Sequence, residues 1–464
     1  MMADELLLAE APRAYYRKHR ALLIFPESQE VLGVPEVLGK VMDGRCRLAM
    51  ADVVAALGGG EASLKSAEQL CQVLRSRHLI GRHSRAKAAS PDHAVLNISV
   101  TERCNLRCPH CYAGAGKSSE TGGQDVRAII DDFVQTFAEN AHREIALTGG
   151  EPTLWGPIGE IVEYAGSALG NGRLTKTYLN TNATTLSPEQ ARSFAAASMR
   201  VAVSLDGAND ETHDSIRGKG SFAATLRGLR YLRDAGVVFG LNIFVHAGNL
   251  PELEAIFDLG IHVGSSNLSA FGLLGVGRGS ELRAEACSGN APVSDRDLYA
   301  AHHAIFNRRP ELAAHFEGSI FLGQLQRIRA RSRTRCGVGR HPSFYVRSDG
   351  KVYPCLAMFH DAFLLGQVSE GFDRLRRHPV LAELAERDPL AAREECTLCA
   401  VRHFCGGGCP GESFQCTGGL TPSPQLCQDL SDGILELMWI LAEEPAYLPP
   451  LPPIGAEFSG EPCA

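Results

Sequence analysis

From residue 94 onward the chain alternates between short apolar runs and amphipathic segments, and this alternation limits the fold more than any other feature. The runs VLNISV, EIALT, KTYLNT, RVAVSL, VFGLNIFV and LSAFGLL have strand character. Between them lie DVRAIIDDFVQTFAENA, IGEIVEYAGSAL, SPEQARSFAAA and SFAATLRGLRYLRDAG, whose apolar residues recur at helical spacing. A strand followed by a helix pairs in parallel with the next strand, because only a crossover of that length returns the chain to the same end of the sheet. Six such units predict a partial or complete α/β barrel over residues 94–314. Ligands in such folds gather at the C-terminal strand ends. Four polar turns fall there: TERC, TGGEP, NTNAT and SLDG, after the first four strands in turn.

The flanks read differently. Residues 1–90 begin with a hairpin pattern (ALLIFPESQEVLGV), then three short amphipathic helices (VPEVLGKVMDG, LAMADVVAALGG, LKSAEQLCQVLRSRHLI). This predicts a small α+β module of winged-helix character. AKAASPDHA reads as a linker. Residues 315–432 are rich in cysteine and poor in long periodic elements, as expected where metal replaces an apolar core. Residues 444–464 form a Pro-rich tail with a disordered composition. No internal repeat at solenoid period is evident.

Composition narrows the function classes. In 464 residues, 44% are hydrophobic and no apolar run is long enough to span a bilayer. The start carries acid where a secretory signal would carry positive charge, which predicts a cytoplasmic location. A net charge of −7 argues against a general nucleic-acid binder. Up to His93 there are 13 Lys/Arg against 11 Asp/Glu, leaving 33 against 42 for the rest. Arg75, Arg77, Arg82, Arg85 and Lys87 are a solvated face or a landing site for an acidic partner. Fifteen cysteines, odd in number and clustered, point to metal ligation rather than disulfides.

Cys104, Cys108 and Cys111 follow the first strand with spacing C-x3-C-x2-C. A disulfide knot and a zinc site are the plainer readings, but a closed zinc site needs four ligands. Three thiolates on one loop would hold three corners of a [4Fe–4S] cube and leave one iron open to an outside ligand. Tyr112 would lay an aromatic ring over that cube.

This spacing, followed by an aromatic residue, resembles the signature of the radical S-adenosylmethionine (SAM) superfamily. The resemblance implies that the open iron binds the amino and carboxylate groups of SAM. Reductive cleavage then yields a 5′-deoxyadenosyl radical, which abstracts a substrate hydrogen. Gly149, Gly150, Glu151 and Pro152 match the family's GGEP turn, which receives the methionine amino group. Glycine there permits close backbone approach, and Glu accepts from the ammonium. Ser204 and Asp206 match its polar positions after the fourth strand. Asn182 in NTNAT and Arg217 in HDSIRG carry over as further SAM contacts, the alternative being ordinary turn residues.

Downstream, Cys336 and Cys355 flank Gly350, then come Cys396, Cys399, Cys405, Cys409 and Cys427. This pattern is similar to the SPASM extension of radical SAM enzymes, which carries two auxiliary [4Fe–4S] clusters, making three in all. By that resemblance Cys336, Cys355 and Cys409 serve the first, and Cys396, Cys399, Cys405 and Cys427 the second. Some relatives supply an eighth cysteine that this chain lacks, which leaves an open iron or a borrowed ligand such as His341. Cys416 competes with Cys427, and the wider gap favours Cys427. A zinc ribbon would account for CTLC…CGGGC but not for Cys336 and Cys355. Cys46, Cys71, Cys287 and Cys463 read as ordinary thiols. The arginines of QRIRARSRTRC offset an anionic cluster or form a solvated helix face.

Radical SAM/SPASM proteins with an added N-terminal module look like peptide maturases. The module is similar to the peptide-recognition protein of pyrroloquinoline quinone biosynthesis, through DGRCRLAMADVVAAL and RSRHLIGR; a structural cap is the alternative. The resemblance implies a precursor peptide bound through its leader, as a strand added to a sheet edge, and a flavodoxin- or ferredoxin-like electron donor. It points to a thioether between a cysteine sulfur and a carbon of another residue, or to a carbon–carbon crosslink. Formylglycine maturation of sulfatases ranks lower, because Leu356 stands where that family has Asp. Tetrapyrrole side-chain oxidation is a further alternative. An electron carrier without SAM chemistry would have no use for the GGEP and SLDG turns. No catalytic acid or base is singled out.

Overall fold

The computed structural model describes residues 5–448 apart from 78, 80–91, 117–123, 287–291, 317–318, 331–335, 339–340, 388–389 and 391–392. The linker pattern (mostly), most of the Pro-rich tail, Arg82, Arg85, Lys87, Cys287, Cys463 and the arginines at 331, 333 and 335 lie outside the described residues.

Near the N-terminus, strands β2 (Arg13–Arg17), β3 (Arg20–Phe25) and β4 (Glu30–Pro35) form an antiparallel meander, one strand more than the hairpin pattern shows. β1 (Glu5–Leu7) pairs with β5 (Arg47–Ala49), and helices Glu36–Met42, Met50–Ala56 and Gly60–Ser76 complete the module. β3 is apolar on both faces because both are covered. Ala21, Leu23 and Phe25 turn into the module's own core with Leu32, Val34 and Leu38. Leu22 and Ile24 join the main core instead, together with Leu437 and Trp439 of the C-terminal helix Pro424–Ala442. Arg17 grips Glu436 of that helix through two nitrogens, at 3.1 and 2.6 Å, and lies over Trp439 at 5.1 Å.

The predicted six strands are present as β6 (His93–Ser99), β7 (His142–Thr148), β8 (Lys176–Thr181), β9 (Arg200–Ser204), β10 (Phe239–Phe244) and β11 (Asn267–Phe271). Each pairs in parallel with the next. The barrel is partial, because β6 takes a different second neighbour. β12 (Ser343–Val346) lies parallel to β6 and is extended by antiparallel β13 (Lys351–Tyr353) and β14 (Gly366–Gln367). The cysteine-rich region therefore shares a nine-stranded sheet with the barrel. Side chains alternate along the strands. Leu179, Val201, Val203, Leu241, Ile243 and Leu268 are buried in the main core. Asn97, Asn180, Ser204, Asn242 and Ser269 take the alternate positions and remain partly exposed.

Beyond the barrel, Val338, Tyr353, Met358 and Phe363 form a small separate core. The last helix runs on to Ala442, past residue 432 where the cysteine pattern ends, because its second half (Leu437, Met438, Trp439, Ile440) is buried. No helix among the described residues is long and apolar enough to cross a membrane.

Candidate active site at the strand ends

The TERC and TGGEP turns are stitched together by main chain. Gly150 N donates to Thr101 O at 2.6 Å and Glu151 N to Arg103 O at 2.7 Å. The two glycines make that approach possible. A Cβ on Gly149, whose φ is +147°, would stand 2.4 Å from Thr101 O, and one on Gly150 would stand 2.1 Å from Arg103 O. Glu151 is 0% exposed. Its carboxylate accepts from Thr153 N, Thr153 Oγ1, Thr181 Oγ1 and Asn182 N. Burial outweighs these donors and raises its pKa. Glu151 thus ties the GGEP turn, which Pro152 completes as the start of a 3-10 turn, to the end of β8. Asn182 in turn reaches the cysteine loop, with Nδ2 3.2 Å from Asn105 Oδ1 and 3.9 Å from Cys104 Sγ.

Behind the loop lies a buried charged group. Asp206, 0% exposed, pairs with Arg217 Nε at 2.5 Å and accepts from Phe244 N at 2.8 Å. Burial alone would raise the Asp206 pKa, but Arg217 and the Phe244 amide hold it below the usual carboxylate range. His110, between Cys108 and Cys111, stacks on Phe244 at 4.2 Å and receives Arg217 Nη2 at 3.5 Å. Burial pushes its imidazole down to about 4, so it is neutral. Ser204 ends β9 on the inner face, in register with Asn242. Asp206 and Arg217 are thus brought together, Asn182 meets the cysteine loop, and Ser204 stands apart on the strand.

Sequence reasoning missed several residues that fasten this loop. Arg278, in the GVGRG stretch after β11, donates Nε to Cys108 O at 2.9 Å and Nη1 to Ala115 O at 2.6 Å. Gly277 must be glycine, since a Cβ would lie 2.2 Å from Tyr112 O. The Tyr112 hydroxyl meets Thr148 Oγ1 at 3.0 Å and the buried Tyr345 hydroxyl of β12 at 3.4 Å. Three glycines close together (Gly275, Gly277, Gly279) were the available signal for the post-β11 turn. Nothing local marks Tyr345.

The downstream cysteines fall into two groups. Cys409 lies within electrostatic reach of Cys355 and Cys336. Cys396, Cys399 and Cys405 each lie within reach of Cys427. Cys416 is exposed on helix Pro410–Thr417. Cys46 is exposed and Cys71 buried in the N-terminal module.

Fold and site define an enzyme that works at the C-terminal mouth of a partial parallel barrel. The comparisons place it further. Residues 98–260 match the radical SAM superfamily. The mycofactocin maturase MftC of Mycolicibacterium smegmatis is 31% identical over 332 residues, covering 69% of this chain and 78% of that protein. The AdoMet-dependent heme synthase of Methanosarcina barkeri is 29% identical over 353 residues, covering 72% and 95%. Streptococcus suis SuiB bound to precursor peptide SuiA shares the fold, with a TM-score of 0.56 at 14% identity over 91% of this chain and 99% of that one. This chain belongs to the radical SAM superfamily.

Members of the superfamily bind SAM and a [4Fe–4S] cluster, and the residues present fit both. Cys104, Cys108 and Cys111 share one loop without a fourth thiol on it. Among the described residues, no three His, Cys, Asp or Glu side chains converge on a single ion. Zinc at about 2.3 Å from each sulfur would demand such convergence, whereas a cube holds its thiolates at separate corners. Burial pushes the Cys104 thiol up to about 11, so iron would displace its proton on binding.

Proposed function

We propose that this chain matures a ribosomally made peptide by joining a cysteine sulfur to a carbon of another residue, the peptide being held through its leader. The observation that carries this reading is the N-terminal sheet, seated on the helix that bears Cys427 and on the loop that bears Cys396, Cys399 and Cys405. Arg13 donates to Leu398 O, Glu27 pairs with Arg402 and His403, and Arg20 donates to Ala442 O at 2.9 Å. One edge of that sheet suits an added strand. On β2, Ala14 N already donates to Asp43 Oδ1. On β4, Arg77 reaches Val31 O at 2.7 Å, which marks Val31 and, two residues on, Gly33 as outward-facing. A leader strand would displace Arg77 and pair there. MftC is named a maturase and SuiB was solved with a precursor peptide, which supports the same substrate class.

The barrel's inner face favours a peptide over a tetrapyrrole. Asn180, Asn242 and Ser269 are uncharged, and their side chains make no hydrogen bond among the described residues. Carboxamides and hydroxyls suit peptide groups, whereas the propionates of a tetrapyrrole call for cations. Arg217 cannot supply one, being paired with Asp206.

When bound, the cluster and SAM supply one-electron chemistry that removes a hydrogen atom from a substrate carbon. Cys104, Cys108 and Cys111 would hold the iron, and the backbone of Gly149–Pro152 would receive the methionine ammonium. Asn182 and Ser204 would hold polar groups of SAM, while Asp206 and Arg217 brace the loop. The two further cysteine groups would hold acceptors for the surplus electron. The balance is one hydrogen atom lost from carbon and one proton from the thiol, with one electron passed on. The test is anaerobic co-expression with a short peptide encoded beside the gene. Loss of two hydrogens per link and blocked cysteine alkylation are expected, both absent with Cys104→Ala. An unmodified peptide beside an enzyme that cleaves SAM vigorously would refute the assignment. Leu356, apolar and next to Cys355, offers no proton acceptor for the sulfatase alternative.

A further inference from the structure

We infer that His341 is the fourth ligand of the first auxiliary group, so that Cys336, Cys355, Cys409 and His341 together hold one [4Fe–4S] cluster. The inference rests on the reading that this group binds iron.

His341 meets the residues that follow Cys336. His341 N donates to Gly337 O at 3.3 Å, and Val338 and His341 form a β-bridge. The imidazole lies against Gly337. A Cβ at that position would stand 2.3 Å from His341 Cε1, 2.9 Å from Nε2 and 3.3 Å from Nδ1. The residue before Gly337 is Cys336. The imidazole therefore lies beside the residue that follows Cys336, and Cys336 is within electrostatic reach of Cys355 and Cys409.

The other two thiols already have main-chain donors: Cys355 from Leu356 and Ala357, and Cys409 from Glu412. Such donors orient thiolates toward a metal group. The competing thiol is Cys416, seven residues beyond Cys409 on one helix. Cys416 is exposed on that helix.

A neutral imidazole in place of a thiolate makes the cluster less anionic and raises its potential. It also closes the iron that a substrate sulfur would otherwise take.

The test is pulsed EPR of the reduced, anaerobically reconstituted full chain without SAM. A directly bound histidine nitrogen should appear, change on 15N-histidine labelling, and persist in Cys416→Ala. His341→Cys should abolish the nitrogen coupling, keep about twelve irons per chain, and lower the potential of one cluster. About twelve irons with no histidine coupling, or coupling that survives in His341→Cys, would overturn the assignment. About eight irons in the unaltered chain would overturn it differently, by showing that the group holds no cluster.

Discussion

Asp206→Asn probes the buried pair behind the cysteine loop. The side chain keeps its size and can still accept from Phe244 N, now 2.8 Å away, but it loses the charge facing Arg217. Removing one partner of a buried ion pair costs about 3–5 kcal/mol, because the other charge remains without compensation. The retained Phe244 contact puts this case near the lower figure, about 3 kcal/mol, or roughly 10²-fold in the folding equilibrium. Arg217 also touches His110, so the damage should concentrate on the loop that carries Cys108 and Cys111. Urea unfolding under anaerobic conditions reads the global loss, and amide exchange over residues 104–111 reads the local one. Arg217→Gln should cost a similar amount, and the double variant much less than the sum, since neither charge is then stranded. Full additivity, or a single-variant loss below about 0.5 kcal/mol, would refute the reasoning.

Two further outcomes follow from particular contacts. Gly150→Ala would force a methyl to within 2.1 Å of Arg103 O, so about four of about twelve irons and all SAM cleavage should be lost. Gly156→Ala, with nothing within 4 Å, should change neither iron content nor activity. His302, buried among Phe257, Phe306, Phe316 and Phe321, has its imidazole pushed by burial from 6.5 down to about 4. Its folded pKa is depressed, so the unfolded chain takes the proton first. Stability is intact above about pH 6.5 and falls toward pH 4, by at most about 3 kcal/mol. Urea midpoints at pH 7.5 and 5 should differ less in His302→Phe, and an equal difference would exclude this source.

Much of the molecule was legible because its determinants are local. Each of the six parallel strands is a short apolar run bounded by turn residues, and each was found where the pattern put it. The thiol triad and the GGEP turn depend on spacing along a few residues. The third strand of the N-terminal sheet was missed because RAYYR is partly exposed and shows no clear alternation.

The amino-acid sequence by itself determined the strand–helix order, the thiol spacing and hence the superfamily chemistry, because these are set by neighbours in the chain. Only the tertiary structure decided that β12 lies beside β6 and so joins the cysteine-rich region to the barrel. It alone seated the N-terminal sheet on the helix of Cys427, and paired Asp206 with Arg217 against His110. Those contacts join residues far apart in the chain, or at spacings shared with ordinary turns. What selects them is the burial of two apolar faces and the pairing of buried charges, and neither leaves a local mark.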